Sequence, residues 1–160
     1  MPSLAVTLAV EPDAQRRFDD ECARWSRSRA QGRIALFREL PADLEEQARV
    51  DLVDLGGPPF PIGVAGVLPF PTGVAFGLAS PELLARRQEL ATLWWPHLGA
   101  RDRRGFRPHV VVLRDVVGAE ARAAYQVLRR EFRPYQVRAE GFILWRTGDP
   151  WTELAQIRFT

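Results

Sequence analysis

The sequence contains no lysine, one cysteine and two histidines in 160 residues. Because every basic residue is an arginine, all fixed positive side-chain charges are guanidinium groups, which suit bidentate recognition of phosphate where they cluster. The formal net charge of +2 is too small to indicate general binding to nucleic acid. The single cysteine, Cys22, excludes an intramolecular disulfide.

Long apolar runs are also missing, since no stretch of about 18 apolar residues is present to span a bilayer. The N-terminal segment "MPSLAVTLAVEPD" lacks the basic start and the long apolar stretch of a signal peptide. We therefore expect a cytoplasmic protein with no membrane partner. A chain that is 46% hydrophobic can bury a core at this length, and we expect residues 1–160 to form a single bilobal domain.

Strand and helix patterns alternate along the chain. Residues 4–10 are apolar and β-prone, residues 12–28 have a helical stripe, and residues 33–40 predict a second strand. Later helices are predicted after residue 41, after the Ser80-Pro81 cap and after the strand "HVVVL". The residues expected on inward helix faces are Phe18, Cys22, Trp25, Leu44, Ala48, Leu52, Leu55, Leu83, Leu90, Leu93, Trp94, Ala121, Ala124, Tyr125, Leu128 and Phe132.

Two segments of the chain resemble each other. Aligning "RIALFREL" with "HVVVLRDV" pairs Arg33 with His109 at an offset of 76 residues. After the following helix, "PPFPIGVAGVLPF" aligns with "RPYQVRAEGFILW", which pairs Gly66 with Gly141 at an offset of 75. We therefore predict an α+β fold of two pseudo-symmetric strand–helix–strand lobes with largely antiparallel sheets around a central groove.

These segments also carry a resemblance to a known family. The stretch "FRPHVVVL", with the amphipathic helix after it, the Pro-aromatic strand start and "GFILWR", resembles the C-terminal half of the 2′-5′ RNA ligase family, within the 2H phosphoesterase superfamily. The segment "RIALFRELP" lies where the first signature strand of that family belongs. The segment "GVAFGLASPEL" resembles the strand and helix start between the two signatures, so the resemblance extends over nearly the whole chain.

The resemblance implies a metal-independent site without a cofactor. Family members carry two His-hydrophobic-Thr-hydrophobic motifs that face each other across the groove. Residues two apart on a strand share a face, so each His and Thr point into the groove together. One histidine takes a proton from the attacking group and the other protonates the leaving oxygen, while the threonines hydrogen-bond the phosphate.

This sequence departs from the family motif at three of the four positions. The first motif has Arg33 for histidine and Ala35 for threonine, whereas the second keeps His109 but has Val111 for threonine. The resemblance therefore implies the family fold with a degenerate site in which His109 is the catalytic candidate. Arg33 and Arg107 are the candidates for binding phosphate or another anionic ligand. Glu140 and Tyr125 are candidates to replace the missing histidine.

Plainer interpretations stand beside these assignments. His109 alone would be a hydrogen-bonded residue at a strand end, and Arg33 a solvated surface residue. Arg38 and Arg114 are expected to form local ion pairs with the neighbouring Glu39 and Asp115. The arginine-rich loop at residues 99–108 is expected to be solvated, although its mixture of arginines with an aromatic side chain also suits single-stranded nucleic acid.

Three hypotheses for function follow from the sequence. The first is a binding protein for a nucleotide, an RNA end or another phosphorylated ligand, with weak or no turnover. The second is a phosphodiesterase acting on 2′,3′-cyclic phosphates or 2′-5′ bonds, with His109 as the sole acid or base. The third is a protein-interaction module in which the former cleft has become an interface. Binding through arginine should weaken with salt, whereas an apolar interface should not.

Overall fold

A computed structural model describes residues 2–25 and 31–160 of the chain. Within these residues an antiparallel sheet of seven strands packs against helices. The strands are β1 (Ser3–Val10), β2 (Ile34–Pro41), β3 (Phe60–Phe70), β4 (Gly73–Ala79), β5 (His109–Arg114), β6 (Tyr135–Arg146) and β7 (Thr152–Arg158). The α-helices are α1 (Pro12–Trp25), α2 (Glu45–Leu55), α3 (Pro81–Trp94), α4 (Ala100–Arg103) and α5 (Gly118–Glu131). The predicted α+β fold is confirmed.

The strand order divides the sheet into two lobes around two central strands. The order is β1-β2-β5-β4-β3-β6-β7, and β1 also pairs with β6. Strand β1 is therefore flanked by β2 and β6, while β4 is flanked by β5 and β3. Because β3 follows β2 in the chain and β6 follows β5, each lobe takes its third strand from the other half of the sequence.

The seams between the lobes follow the internal repeat. Across the first seam Ile34 pairs with Val110, and these two residues are equivalent at an offset of 76. Across the second seam Ile62 pairs with Val137, which are equivalent at an offset of 75. Each seam is thus centred on a repeat-related pair, as a pseudo-twofold axis between the lobes requires. The predicted pseudo-symmetry is confirmed, and the repeat extends to the units β1-α1-β2-α2-β3 and β4-α3-β5-α5-β6.

The helices bury the apolar faces that their spacing predicts, with one exception. Phe18 and Cys22 of α1 are almost fully buried, and so are Ala48 and Leu52 of α2. At the start of α3 the Ser80 hydroxyl accepts a hydrogen bond from the Leu83 backbone N–H at 3.2 Å, and Pro81 occupies the first turn. The predicted end of the first helix at residues 26–28 lies outside the described residues.

The exception is Leu93, which was expected to face inward on α3 but is 57% exposed. Its neighbour Trp94 is 1% exposed and occupies the inward position at the end of the helix. Two adjacent residues on a helix point about 100° apart, so both cannot face the same core. Among the described residues no helix has both the length and the apolar character needed to cross a membrane.

The hairpin of β3 and β4 lies close against β5 at a glycine. Gly73 begins β4 opposite Arg114 at the end of β5. A Cβ atom at Gly73 would overlap the backbone carbonyl oxygen of Leu113 and would approach Phe70 Cζ at 2.9 Å. Backbone atoms cannot move aside cheaply, so only glycine allows this close approach.

Replacing this glycine tests the approach of the two strands. We expect Gly73→Ala to lower the free energy of unfolding by about 3 kcal/mol, because the new methyl group overpacks a backbone contact. Gly66→Ala in β3 is the matched control, since nothing lies within 4 Å of its Cβ position, and we expect it to change stability by less than about 1 kcal/mol. Urea denaturation measures the free energy of unfolding of both variants. Equal stability of the two variants would contradict the close approach of Gly73 to Leu113.

Candidate functional site

The alternation of side chains along β2 and β5 brings the four motif positions to one surface. Ile34 and Val110, paired across the seam, are 1% and 0% exposed and point into the core. Their neighbours therefore point to the opposite face. Ala35 follows Ile34 and His109 precedes Val110, so both residues lie next to this pair. The two motif strands are therefore neighbours in the sheet.

A cleft with a volume of about 570 Å³ opens on this face. We call it the cationic cleft, and its lining residues are Arg38, Leu68, Pro69, Phe70, Thr72, Ala75, Arg101, Arg107, His109, Val111, Arg114 and Asp115. Ala35 lines a smaller adjoining recess that shares Arg38, Arg101, Arg107 and His109 with the cleft. Three of the five predicted site residues, namely Arg107, His109 and Val111, therefore line the cleft itself.

Arg38 and Arg114 face the cationic cleft, and the expectation of local ion pairs for them is wrong. Among the described residues neither guanidinium forms an ion pair or hydrogen bond. A register irregularity between β4 and β5 interrupts the alternation after Val111, so Val112 and Leu113 are both buried and Arg114 is exposed. Asp115 then has a φ of 62°, a left-handed conformation that aspartate tolerates better than most residues.

Arg38 lies close to other positively charged side chains. Burial lowers its pKa, and the nearby charges of Arg101 and Arg114 lower it further, while Asp102 opposes the shift. A lowered pKa means that the charged guanidinium is destabilised by its surroundings. An anion in the cleft would therefore stabilise the charged guanidinium of Arg38.

A buried anchor holds the arginine-rich segment against β2. The Asp102 carboxylate on α4 is 4% exposed as a residue and accepts hydrogen bonds from the backbone N–H groups of Arg38, at 3.0 and 3.2 Å, and Glu39, at 2.9 Å. Arg87 of α3 donates to the Leu36 carbonyl at 2.9 Å and to the Asp102 carbonyl at 2.7 Å. We call this pair the Arg87–Asp102 anchor.

Two aromatic rings complete the anchor. The Arg87 guanidinium carbon lies 4.1 Å from the centroid of Phe37 and 5.1 Å from that of Phe106. Burial lowers the pKa of Arg87, and Asp102 opposes the shift. Because Arg38 follows Phe37 and Arg107 follows Phe106, the anchor fixes the backbone beside two of the cleft arginines. The arginine side chains of this loop, Arg101, Arg103, Arg104 and Arg107, are exposed as expected, while α4 and the buried Asp102 give part of the loop a regular structure.

The His109 ring contacts a backbone group just before the start of β5. Its Nδ1 atom lies 2.7 Å from the carbonyl oxygen of Arg107. A carbonyl can only accept, so Nδ1 carries the proton in this contact and Nε2 is the basic nitrogen of the neutral ring. The side chain is partly exposed and lines the cleft. Such a ring can accept a proton, or donate two hydrogen bonds once it is protonated.

Arg33 has a different environment. Its guanidinium carbon lies 4.7 Å from the ring centroids of both Trp145 and Trp151, and its Nε atom is buried with no hydrogen-bond partner among the described residues. Burial lowers the pKa of Arg33, and the charge of Arg114 lowers it further. Arg33 thus shares the motif face with His109, but its guanidinium stacks on tryptophans and does not line the cationic cleft.

The residues considered as replacements for a second histidine lie elsewhere. Neither Glu140 nor Tyr125 lines the cleft, and the Glu140 carboxylate lies 3.9 Å from Arg138. In residues 2–25 and 31–160 no group of three or more His, Cys, Asp and Glu side chains is gathered as a metal site would require. His109 is therefore the acid–base candidate that the sequence and the cleft lining share.

The sequence matches the family model of the 2′-5′ RNA ligase superfamily over residues 6–151. The chain belongs to this superfamily. The match includes both motif strands and the helices between them, in agreement with the resemblance seen in the sequence. No curated protein matches the chain significantly.

Solved structures share the fold of this superfamily member at low sequence identity. The protein TT0787 of Thermus thermophilus has a TM-score of 0.72 and 15% identity, with 98% of this chain and 97% of that chain covered. E. coli LigT complexed with 3′-AMP also has a TM-score of 0.72 and 15% identity, with 100% and 99% covered. E. coli LigT complexed with NADP+ has a TM-score of 0.69 and 16% identity, with the same coverage.

Part of the site of this superfamily member is not predictable from sequence motifs. Arg38 and Arg114 were paired by the repeat, but their cleft orientation depends on strand irregularities that composition does not reveal. The Arg87–Asp102 anchor joins residues of α3 and α4, and neither residue carries a motif. A signal was present in Asp102, which is an acidic residue within an otherwise basic segment.

The anchor can be tested by removing its carboxylate. We expect Asp102→Ala to lower the free energy of unfolding by about 3 kcal/mol, because buried backbone N–H groups lose their acceptor and Arg87 loses a nearby negative charge. Asp54→Ala is the control, since Asp54 is exposed and forms no hydrogen bond or ion pair with the described residues. Urea denaturation compares the two, and a loss below about 1 kcal/mol for Asp102→Ala would contradict a stabilising role.

Proposed function

We propose that the cationic cleft binds a nucleotide, an RNA end or another phosphorylated ligand, with weak or no turnover. The observation that carries the proposal is the convergence of Arg38, Arg107 and Arg114 beside His109. In the part of the chain that the structure describes, none of these three guanidinium groups forms an ion pair or donates a hydrogen bond to a protein acceptor. Arginine presents a planar fork of donors that matches phosphate oxygens.

Two further facts support the proposal. The cleft volume falls within the range of about 300–1,000 Å³ that small-molecule sites occupy. E. coli LigT, whose fold the chain shares, has been crystallised with 3′-AMP and with NADP+. The proposal of weak or no turnover rests on the motif, because Arg33, Ala35 and Val111 stand where the family pattern has one acid–base group and two hydroxyl donors. The charged lining also argues against an apolar protein interface at this cleft.

Arg33 is not one of the principal ligand-binding residues in this proposal. Its stacking on Trp145 and Trp151 keeps the guanidinium outside the cleft lining, so direct contact with a phosphate would require it to leave both rings. Arg107 keeps the role that the sequence assigns to it. Arg38 and Arg114 take the place of Arg33 as the principal ligand-binding arginines.

A second candidate function is supported by the geometry of His109. Because the Arg107 carbonyl fixes the proton on Nδ1, Nε2 is available as a general base toward a hydroxyl or water in the cleft. This favours a metal-independent phosphodiesterase acting on 2′,3′-cyclic phosphates or 2′-5′ bonds, with His109 as the sole acid or base. The arginines would stabilise the charge that develops on phosphate.

Turnover and binding of one panel distinguish the two candidates. We expect 2′,3′-cyclic nucleotides and 2′-5′-linked dinucleotides to bind by calorimetry with an affinity that falls as salt rises, and to be hydrolysed slowly or not at all. His109→Ala is the control for contaminating activity, and any true hydrolysis should fall by about 10²-fold or more in it. Failure of the folded protein to bind any phosphorylated member of the panel would overturn the proposal.

Restoring the histidine and the two threonines of the family motif tests whether their absence limits turnover. We expect the triple variant Arg33→His/Ala35→Thr/Val111→Thr to hydrolyse 2′,3′-cyclic AMP at least about 10²-fold faster than the parent, because it supplies a second acid–base group and two hydroxyl donors. The same variant with His109→Ala should lose the gain. A folded triple variant with parental turnover would indicate that something other than these positions limits the chemistry.

A further inference from the structure

The arginines of the cationic cleft exceed what one phosphate group can engage. Four arginines line the cleft against one aspartate, which leaves a net charge of three before His109 is counted. Glu39 reaches Arg101 only at 3.8 Å, and both side chains are more than half exposed, so this ion pair neutralises Arg101 weakly. A phosphate monoester carries about two negative charges at neutral pH and would leave the excess unmatched.

The donor geometry leads to the same conclusion. Each guanidinium offers five N–H donors in a fixed fork, and a fork occupies two oxygens of a phosphate at once. Arg38, Arg107 and Arg114 have no competing acceptors among the described residues, so all three forks are available. Three forks that each take two separate oxygens would engage six oxygens, whereas a phosphate monoester has three terminal oxygens.

The remaining lining has a different chemistry. Leu68, Pro69 and Phe70 from the β3–β4 hairpin form an apolar wall, and Ala75 and Val111 extend it along the sheet. A phosphate would gain nothing from this wall, whereas an apolar or aromatic group would be removed from water against it. The cleft is also too large for an isolated phosphate, since its volume suits a drug-sized ligand.

We infer that the cationic cleft takes a ligand in which two linked phosphate groups are joined to an apolar or aromatic group, the chemical class of a nucleoside diphosphate. This inference rests on the proposed function and narrows it, because a ligand with one phosphate would use only part of the cleft. The diphosphate engages the arginines around Arg38, Arg107 and Arg114. The base lies against the hairpin wall at Phe70.

Calorimetry with four ligands tests the inference on the intact protein at constant ionic strength. We expect pyrophosphate to bind at least about tenfold more tightly than phosphate, and ADP at least about tenfold more tightly than AMP, because each added phosphate gains charge-assisted hydrogen bonds. ADP should also bind more tightly than pyrophosphate, because only ADP reaches the apolar wall. Equal affinity of ADP and pyrophosphate would overturn the assignment of that wall.

Variants link the preference to particular arginines. Arg38→Gln and Arg114→Gln should each weaken ADP binding by about tenfold and reduce the ratio of ADP to AMP affinity. Arg129→Gln on α5 removes an equal charge from an exposed position away from the cleft and should change affinity by less than about twofold. Circular dichroism spectra that match the parent confirm that each variant is folded.

The possible outcomes distinguish the two-phosphate inference from the proposed binding of phosphorylated ligands on which it rests. If AMP binds as tightly as ADP, and phosphate as tightly as pyrophosphate, the two-phosphate inference is wrong while the proposed binding of phosphorylated ligands stands. If none of the four ligands binds to the folded protein, both are wrong. If ADP is preferred but the preference survives in Arg38→Gln and Arg114→Gln alike, the ligand lies outside the cationic cleft and the inference fails.

Discussion

The pairing of Ile34 with Val110 joins β2 to β5 across the pseudo-twofold axis, and both side chains are buried in the core. Because side chains alternate along a strand, burying these two residues forces their neighbours onto the opposite face. A slip of one residue in β5 would turn His109 toward the core and a valine toward solvent. The cleft therefore depends on an apolar contact made behind it, on the side of the sheet that no ligand reaches.

Positive charge in the cleft is maintained by structure elsewhere. Burial and the neighbouring charges of Arg101 and Arg114 disfavour the charged form of Arg38, and the Asp102 carboxylate opposes this effect. The Arg87–Asp102 anchor holds the backbone beside Arg38 through Asp102 and beside Arg107 through the stacking of Phe106 on Arg87. Phe37 and Phe106 both pack on Arg87, which links the two chain segments that carry Arg38 and Arg107.

The sequence was sufficient for the elements whose periodicity is strong. The repeat offsets predicted two equivalent lobes, and the alternation around His109 predicted that its side chain faces the groove. Side-chain direction beyond that was not predictable. Arg33 occupies the expected strand position, yet stacking on two tryptophans distant in sequence decides where its guanidinium lies. Arg114 reaches the cleft only because a strand irregularity shifts the alternation, and Asp102 acts through backbone groups that carry no residue identity.

Each lobe takes its third strand from the other half of the sequence, and this has a consequence for how the fold could have arisen. A polypeptide with only one repeat would contain β1, β2 and β3 but would lack the strand that β6 supplies beside β1. Two identical copies could supply it to each other, since the seams already pair equivalent residues. The fold is thus compatible with an intertwined homodimer whose two chains later became covalently continuous. In such a dimer both motifs would necessarily be the same, whereas in one continuous chain Arg33 and His109 can differ.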